Sequence, residues 1–288
     1  MKHNRRGVYH QYLHNFFQLL CLVAFSFLPF GRAQTPPVLD EPKTITVHTG
    51  RPLAEMLDRV QAMFLTPINY EEVPHESGTY LIATTIKKSS GARVLLAPPV
   101  VDFSVTFGKA DSSAYFAALS VLQALKSAGL PGEYNVMQNA QCVDVVPVHV
   151  LAASGMVRDV VPVMGRQVTI PFATHRIYDV LQTLVDQLSR ENGPKVLLLN
   201  IPFAYTDTID FGTSGRAARD VIAELGAKLN RPISFRCLYD ATEKAYYLNL
   251  TMVAPVPVPG TPASEQKTHA KPVPLAGPPD SPFFIKTK

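Results

Sequence analysis

The chain has 288 residues, 47% hydrophobic and 17% charged, which is enough apolar material for two modest domains and rules out a disordered tail or a coiled coil. Its net charge of +4 traces to Lys2, Arg5, Arg6 and Arg32, all within the first 33 residues, where no acid occurs. The other cations balance the 23 acids, so no global field steers the rest of the chain to nucleic acid or anionic lipid.

Residues 1–33 have the parts of a secretory signal peptide. Lys2, Arg5 and Arg6 form a positive start, an apolar run fills 16–30, and Gly31 and Ala33 set up a cut before Gln34. An uncleaved anchor would need about 20 apolar residues, whereas this run contains Gln18 and ends near Pro29. A lipid anchor is disfavoured because Cys21 lies inside the run and "QLLC" lacks small residues. The expected location is therefore periplasmic or secreted, with no stable membrane insertion after cleavage at Ala33. Two cysteines remain, Cys142 and Cys237, one in each half. No local spacing pairs them, so they read as small buried apolar side chains, with a disulfide as the alternative.

After an extended leader over 34–42, the strand "TITVHT" leads into a helix. Its apolar stripe is Leu53, Met56, Leu57, Val60 and Phe64, and Pro52 suits the first turn. Further on, residues 73–100 read as an inserted hairpin, with strands in "TYLIATTIKK" and "RVLLA" about a turn at "SSGA". It is either plain elaboration or a partner-binding edge. "VDFSVTFGKADSSAYFAALSVLQAL" then runs from a strand ending in Phe107–Gly108 into a second helix. "EYNVMQN" and "CVDVVPVHVL" follow as strands, and Pro147 suggests an edge or a bulge. This first domain spans 43–152, and 153–166 reads as a linker.

A second domain over 167–253 repeats the plan. Ile177, Val180, Leu181, Leu184 and Leu188 fall on the first stripe at a constant offset. In "DTIDFGTSGRAARDVIAELGAKL", Ala218, Val221, Ile222 and Leu225 likewise fall on Tyr115, Ala118, Leu119 and Leu122. "PISFRCLYD" and "KAYYLNLTMV" close it as a hairpin. The expected fold class is α+β, two similar small domains, each a β-α-β-β-α-β-β sheet with two helices. Residues 254–288 are Pro-rich and read as a disordered spacer or a groove ligand.

The glycines at 212 and 215 raise the question of a phosphate loop. Their register argues for a turn: Ser112 stands opposite Gly215, and an acid, Asp111, stands opposite Ser214. Asp111 and Ser214 are then expected as helix N-caps.

"ITVHTGRPLAEMLDRVQAMFLTPINYEE" resembles the opening of the short N-terminal domain shared by secretins and TonB-dependent transducers, through Pro52, Leu53 and Leu57, then Ile68 and Tyr70. The resemblance covers the first half and, more weakly, the second. It implies a small periplasmic module that binds other proteins and carries no catalytic residues. That family places the module before an outer-membrane barrel or ring. Nothing after residue 253 suits membrane strands, so the family's secretion or signalling role is in question and an adaptor is expected instead.

A search for chemistry finds little. His48 and His149 fall in strands, His175 at a helix start and His269 in the tail. Glu72 and His75 in "EVPH" read as loop polarity, without a second His, Cys or carboxylate cluster to complete a metal or acid–base site. Ser214 lacks the nucleophile-elbow setting, and Ser89 has no lysine three residues on. Tyr246 and Tyr247 alone make no carbohydrate platform. No catalytic, cofactor or metal residue is therefore assigned. The expected function is an exported, non-catalytic interaction module of the bacterial envelope, its partner unknown. The alternative is an exported hydrolase using Glu72, His75 and Asp210 in an interdomain cleft.

Overall fold

A computed structural model describes residues 41–75, 80–88, 91–152, 154–189, 193–203 and 206–253. The expected signal peptide, most of the leader, the turn at 89–90, His269 and the Pro-rich tail lie outside them. The described chain is mixed α and β, with four helices and several sheets.

Strand β1 (Lys43–Thr49) is followed by helix α1 (Pro52–Phe64), with Pro in its first turn as the sequence requires. Its buried stripe includes the five expected residues, and it stops at Leu65, whose φ of 52° turns the chain left-handed. Short strand β2 (Ile68–Glu71) follows. The inserted hairpin is present as β3 (Ile82–Lys88) and β4 (Gly91–Ala97), paired antiparallel. Strand β5 (Val101–Phe107) pairs antiparallel with β1 and leads to α2 (Ala114–Ser127). Strands β6 (Glu133–Gln138) and β7 (Val143–Leu151) close the first half, with a register shift at Glu133/Tyr134 opposite Pro147 and His149. Proline's missing amide makes that irregularity intelligible.

The segment expected as a bare linker carries structure: β8 (Val157–Asp159) adds to the end of β7, and Val163–Gly165 forms a 3-10 turn. Strand β9 (Gln167–Arg176) enters α3 (Ile177–Leu188), which is followed by β10 (Lys195–Asn200). Strand β11 (Thr208–Ala217) pairs antiparallel with β9 and runs directly into α4 (Ala218–Lys228). The hairpin of β12 (Ile233–Asp240) and β13 (Ala245–Met252) completes the fold.

Both helix-cap assignments need correction. Ser113, not Asp111, caps α2 by accepting the amide of Phe116. Asp111 instead ties the loop, accepting from the Gly108 amide at 2.7 Å and the Ser120 hydroxyl at 2.5 Å. Ser214 lies inside β11, and α4 starts from Ala217 with no side-chain cap. The Gly212–Gly215 stretch is thus irregular strand and not a turn: the register slips twice there, and Gly215 sits at a φ of 61°.

Strands β10, β13, β12, β2, β7 and β6 lie side by side in one sheet, with β8 beside the end of β7. Its central contact is β12 against β2, parallel, with Arg236 opposite Tyr70 and Cys237 opposite Glu71. Paired residues in neighbouring strands share a face. Tyr70 belongs to the core built on α1 and α2, whereas Cys237 belongs to the core built on α3 and α4. The helices of the two halves therefore cover opposite faces of the sheet where it crosses from one half to the other.

Candidate functional site

The densest set of buried charged and polar groups lies at this joint. Alternation along β2 explains why: Ile68 and Tyr70 enter the first core, which turns Asn69 and Glu71 toward the second half. Asn69, Glu71, Glu72, His75, Asp144 and Arg236 are all buried.

Each has a partner. Asn69 Oδ1 accepts the Phe235 amide at 3.0 Å, while its Nδ2 donates to Asp144 at 2.7 Å and to Cys142 Sγ at 3.3 Å. Glu71 accepts the amides of Val163 at 2.5 Å and Met164 at 3.0 Å. Glu72 accepts both from Arg51 Nε and from the Tyr239 amide at 2.8 Å, and its own amide donates to the Cys237 carbonyl. Arg51 Nη2 donates to the Tyr239 carbonyl at 2.9 Å. Arg236 donates to the Ile68 carbonyl and to Asp58 of α1 at 2.5 Å. Such pairing is what burial demands, since an unpaired buried polar group costs about 1–3 kcal/mol; among the described residues of the joint Arg236 Nε is the exception, buried without a hydrogen-bond partner.

Burial sets the electrostatics. It pushes Glu71 up to about 7, against the opposing pull of the Met164 and Val163 amides and of Arg219 and Arg166. Asp144 is also raised by burial, with Asn69 holding it down. Burial lowers His75 while the charge of Glu72 opposes the shift. The thiol of Cys142 is driven to about 12 by burial and by Asp144, and that of Cys237 also rises through burial. Both cysteines are buried and unbridged.

The structure places two of the sequence-derived candidates on one loop and the third, Asp210, on another element. Glu72 and His75 share a loop, but Glu72 is a buried clamp to the second half and not loop polarity. Asp210 lies on the β9–β11 ribbon, accepting from Thr174 at 2.6 Å, and among the described residues no hydrogen bond or ion pair joins it to either. His48 pairs with Asp102 at 2.7 Å on an exposed ribbon face. His149 lies between Glu133 and Asp159, and His175 meets the Pro171 carbonyl. Among the described residues no group of three or more His, Cys, Asp and Glu is placed to hold a metal ion, and no helix is long and apolar enough to cross a membrane.

A cavity of about 190 Å³ adjoins the joint, lined among others by Pro67, Gln141, Cys142, Ala227, Asn230 and Ile233. Among the described residues no carboxylate or histidine lines it, so an acid–base pair has no foothold among them there.

Sequence reading missed Asn69, Glu71, Arg51 and Arg236. The signal was present in "INYEE", where acids follow directly on a strand with an apolar face. No family model, curated protein or solved structure matches the chain.

Proposed function

We propose that this chain is an exported, non-catalytic protein-interaction module of the bacterial envelope, made of two like α+β units similar to the short N-terminal domain of secretins and TonB-dependent transducers. The observation that carries the non-catalytic reading is the use of the ionisable groups at the joint: buried Glu71, Glu72 and Arg236 and half-buried Arg51 are all spent on joining the halves.

Strand order supports the like-units reading. In the first half, β2 follows the first helix and runs parallel beside the last strand, β7, which has β6 antiparallel on its other side. In the second half, β10 follows the first helix and runs parallel beside β13, which has β12 antiparallel on its other side. Each half also has a separate antiparallel ribbon, β1–β5 and β9–β11.

The module works by pairing an exposed strand edge with a partner segment, main-chain hydrogen bonds giving affinity and alternate side chains giving selectivity. Photoreactive residues placed along the edge strands β6 and β10 in living cells test this. A discrete adduct with an envelope protein, lost when proline interrupts the strand concerned, supports the proposal. No adduct at either edge overturns it, as does a hydrolytic activity of the purified protein that Glu72→Gln abolishes.

A further inference from the structure

Among the described residues the shared sheet ends in β10 on one side and β6 on the other. Between them β12 and β2 meet, each of which would be an edge if its half stood alone. By strand order, β10 holds the place in its half that β2 holds in the first, and β6 holds the place of β12. The molecule therefore presents at its two ends the same two kinds of edge that it joins in its middle.

The correspondence reaches individual backbone groups. Ile68 opens β2, opposite Val143, and its amide is taken by Gln61 Oε1 while its carbonyl is taken by Arg236. Val196 stands in the matching place opposite Tyr246, and the Ser189 hydroxyl accepts its amide at 2.9 Å while donating to the Val185 carbonyl at 2.7 Å, with the Val196 carbonyl farther off at 3.2 Å. Outward backbone groups recur every second residue, so the next are at Tyr70, in register with Arg236 of β12, and at Leu198.

Side chains agree. Edge strands that stay solitary commonly carry charge, proline or a bulge; β10 has leucine at 197, 198 and 199, all half-buried, with one lysine at its start and a register shift only past Leu198, toward Asn200. On the opposite edge Met137 of β6 is 41% exposed. Its counterpart by register is Leu238 of β12, which packs on the core of the other half.

We propose that β10 is the docking edge for β6 of a second copy of this chain, reproducing between molecules the parallel joint that β12 and β2 make within one. The inference rests on the reading of the chain as two like units. Each copy offers one edge and receives on the other, so the contact is heterologous and copies add head to tail.

Sedimentation of the purified protein over a wide concentration range tests this. The wild type is expected to exceed twice the single-chain mass as concentration rises. Leu198→Pro blocks β10 and Met137→Glu blocks β6; each alone is expected to stay at one chain, and an equal mixture to stop at two. Leu197→Lys replaces the proline variant if the latter melts earlier than wild type. A wild type that stays at one chain up to about 1 mM, well above the affinity of a specific contact, overturns the proposal. Self-association of either blocked variant, or a mixture of folded variants that stays at one chain, does the same. A single-chain wild type that still gives a β10 adduct with another envelope protein in cells removes the second copy and leaves the interaction-module reading standing.

Discussion

Asn69 accepts the amide of Phe235 at 3.0 Å from the far side of the joint, and its own amide group holds Asp144 at 2.7 Å on the near side. One side chain thus ties β12 to β7 across β2. Asn69→Leu keeps the volume but leaves a buried amide and a buried carboxyl without these partners. The expected loss is about 3 kcal/mol, read as a lowered urea midpoint. An unchanged midpoint would show that the joint does not depend on this residue.

Glu71 gives the protein a pH dependence of definite sign. Its folded pKa lies above the ordinary 4.5, at about 7, so the protonated form is favoured in the native state. Its contribution is most favourable below pH 4.5 and is lost as pH rises toward 7, by roughly 3 kcal/mol. Asp144, also raised, acts in the same direction, whereas His75, lowered, destabilises as pH falls through its unfolded value near 6.5. Subtracting the stability curve of Glu71→Gln from that of wild type isolates the Glu71 term. A flat difference between pH 4.5 and 7 would refute it.

The two Phe-Gly pairs are expected to tolerate alanine differently. A Cβ on Gly212 would stand 2.4 Å from the Phe172 Cα on β9, a backbone contact that cannot swing aside, whereas a Cβ on Gly108 meets nothing within 4 Å. Gly212→Ala should cost about 1–3 kcal/mol by overpacking, and Gly108→Ala about 0.5 kcal/mol or less. Thermal melting of the two variants compares them directly, and equal melting temperatures would contradict the close approach.

Neither Cys142 nor Cys237 should react with a thiol reagent in the folded protein, because both are buried and both thiols are pushed well up in pKa, Cys142 to about 12. Both should react in denaturant, and gel mobility should not change on reduction. Labelling of either under native conditions at neutral pH would contradict the packing around it.

Local pattern was legible in the chain and long-range pairing was not. Leu53, Met56, Leu57, Val60 and Phe64 announced α1 because a helix buries neighbours three and four apart, and Ile177 to Leu188 announced α3 likewise. The hairpin of β12 and β13 was equally plain. The end of β11 was not, because two glycines and a serine suit a turn as well as a bulged strand, and only the partner strand β9 decides between them. The joint was hidden for a stronger reason. Arg51 and Tyr239 are distant in sequence, and nothing local to "RPL" or "LYD" states that they meet. Reading Glu72 as loop polarity followed from supposing each half self-contained.

Strand β2 is only four residues long, yet its alternate side chains serve as lining for two different hydrophobic interiors. It acts as a party wall. Neither interior can come apart without stripping a surface from the other, so the two halves are bound to melt in a single event, and each cut away alone would carry a raw, sticky flank into solution.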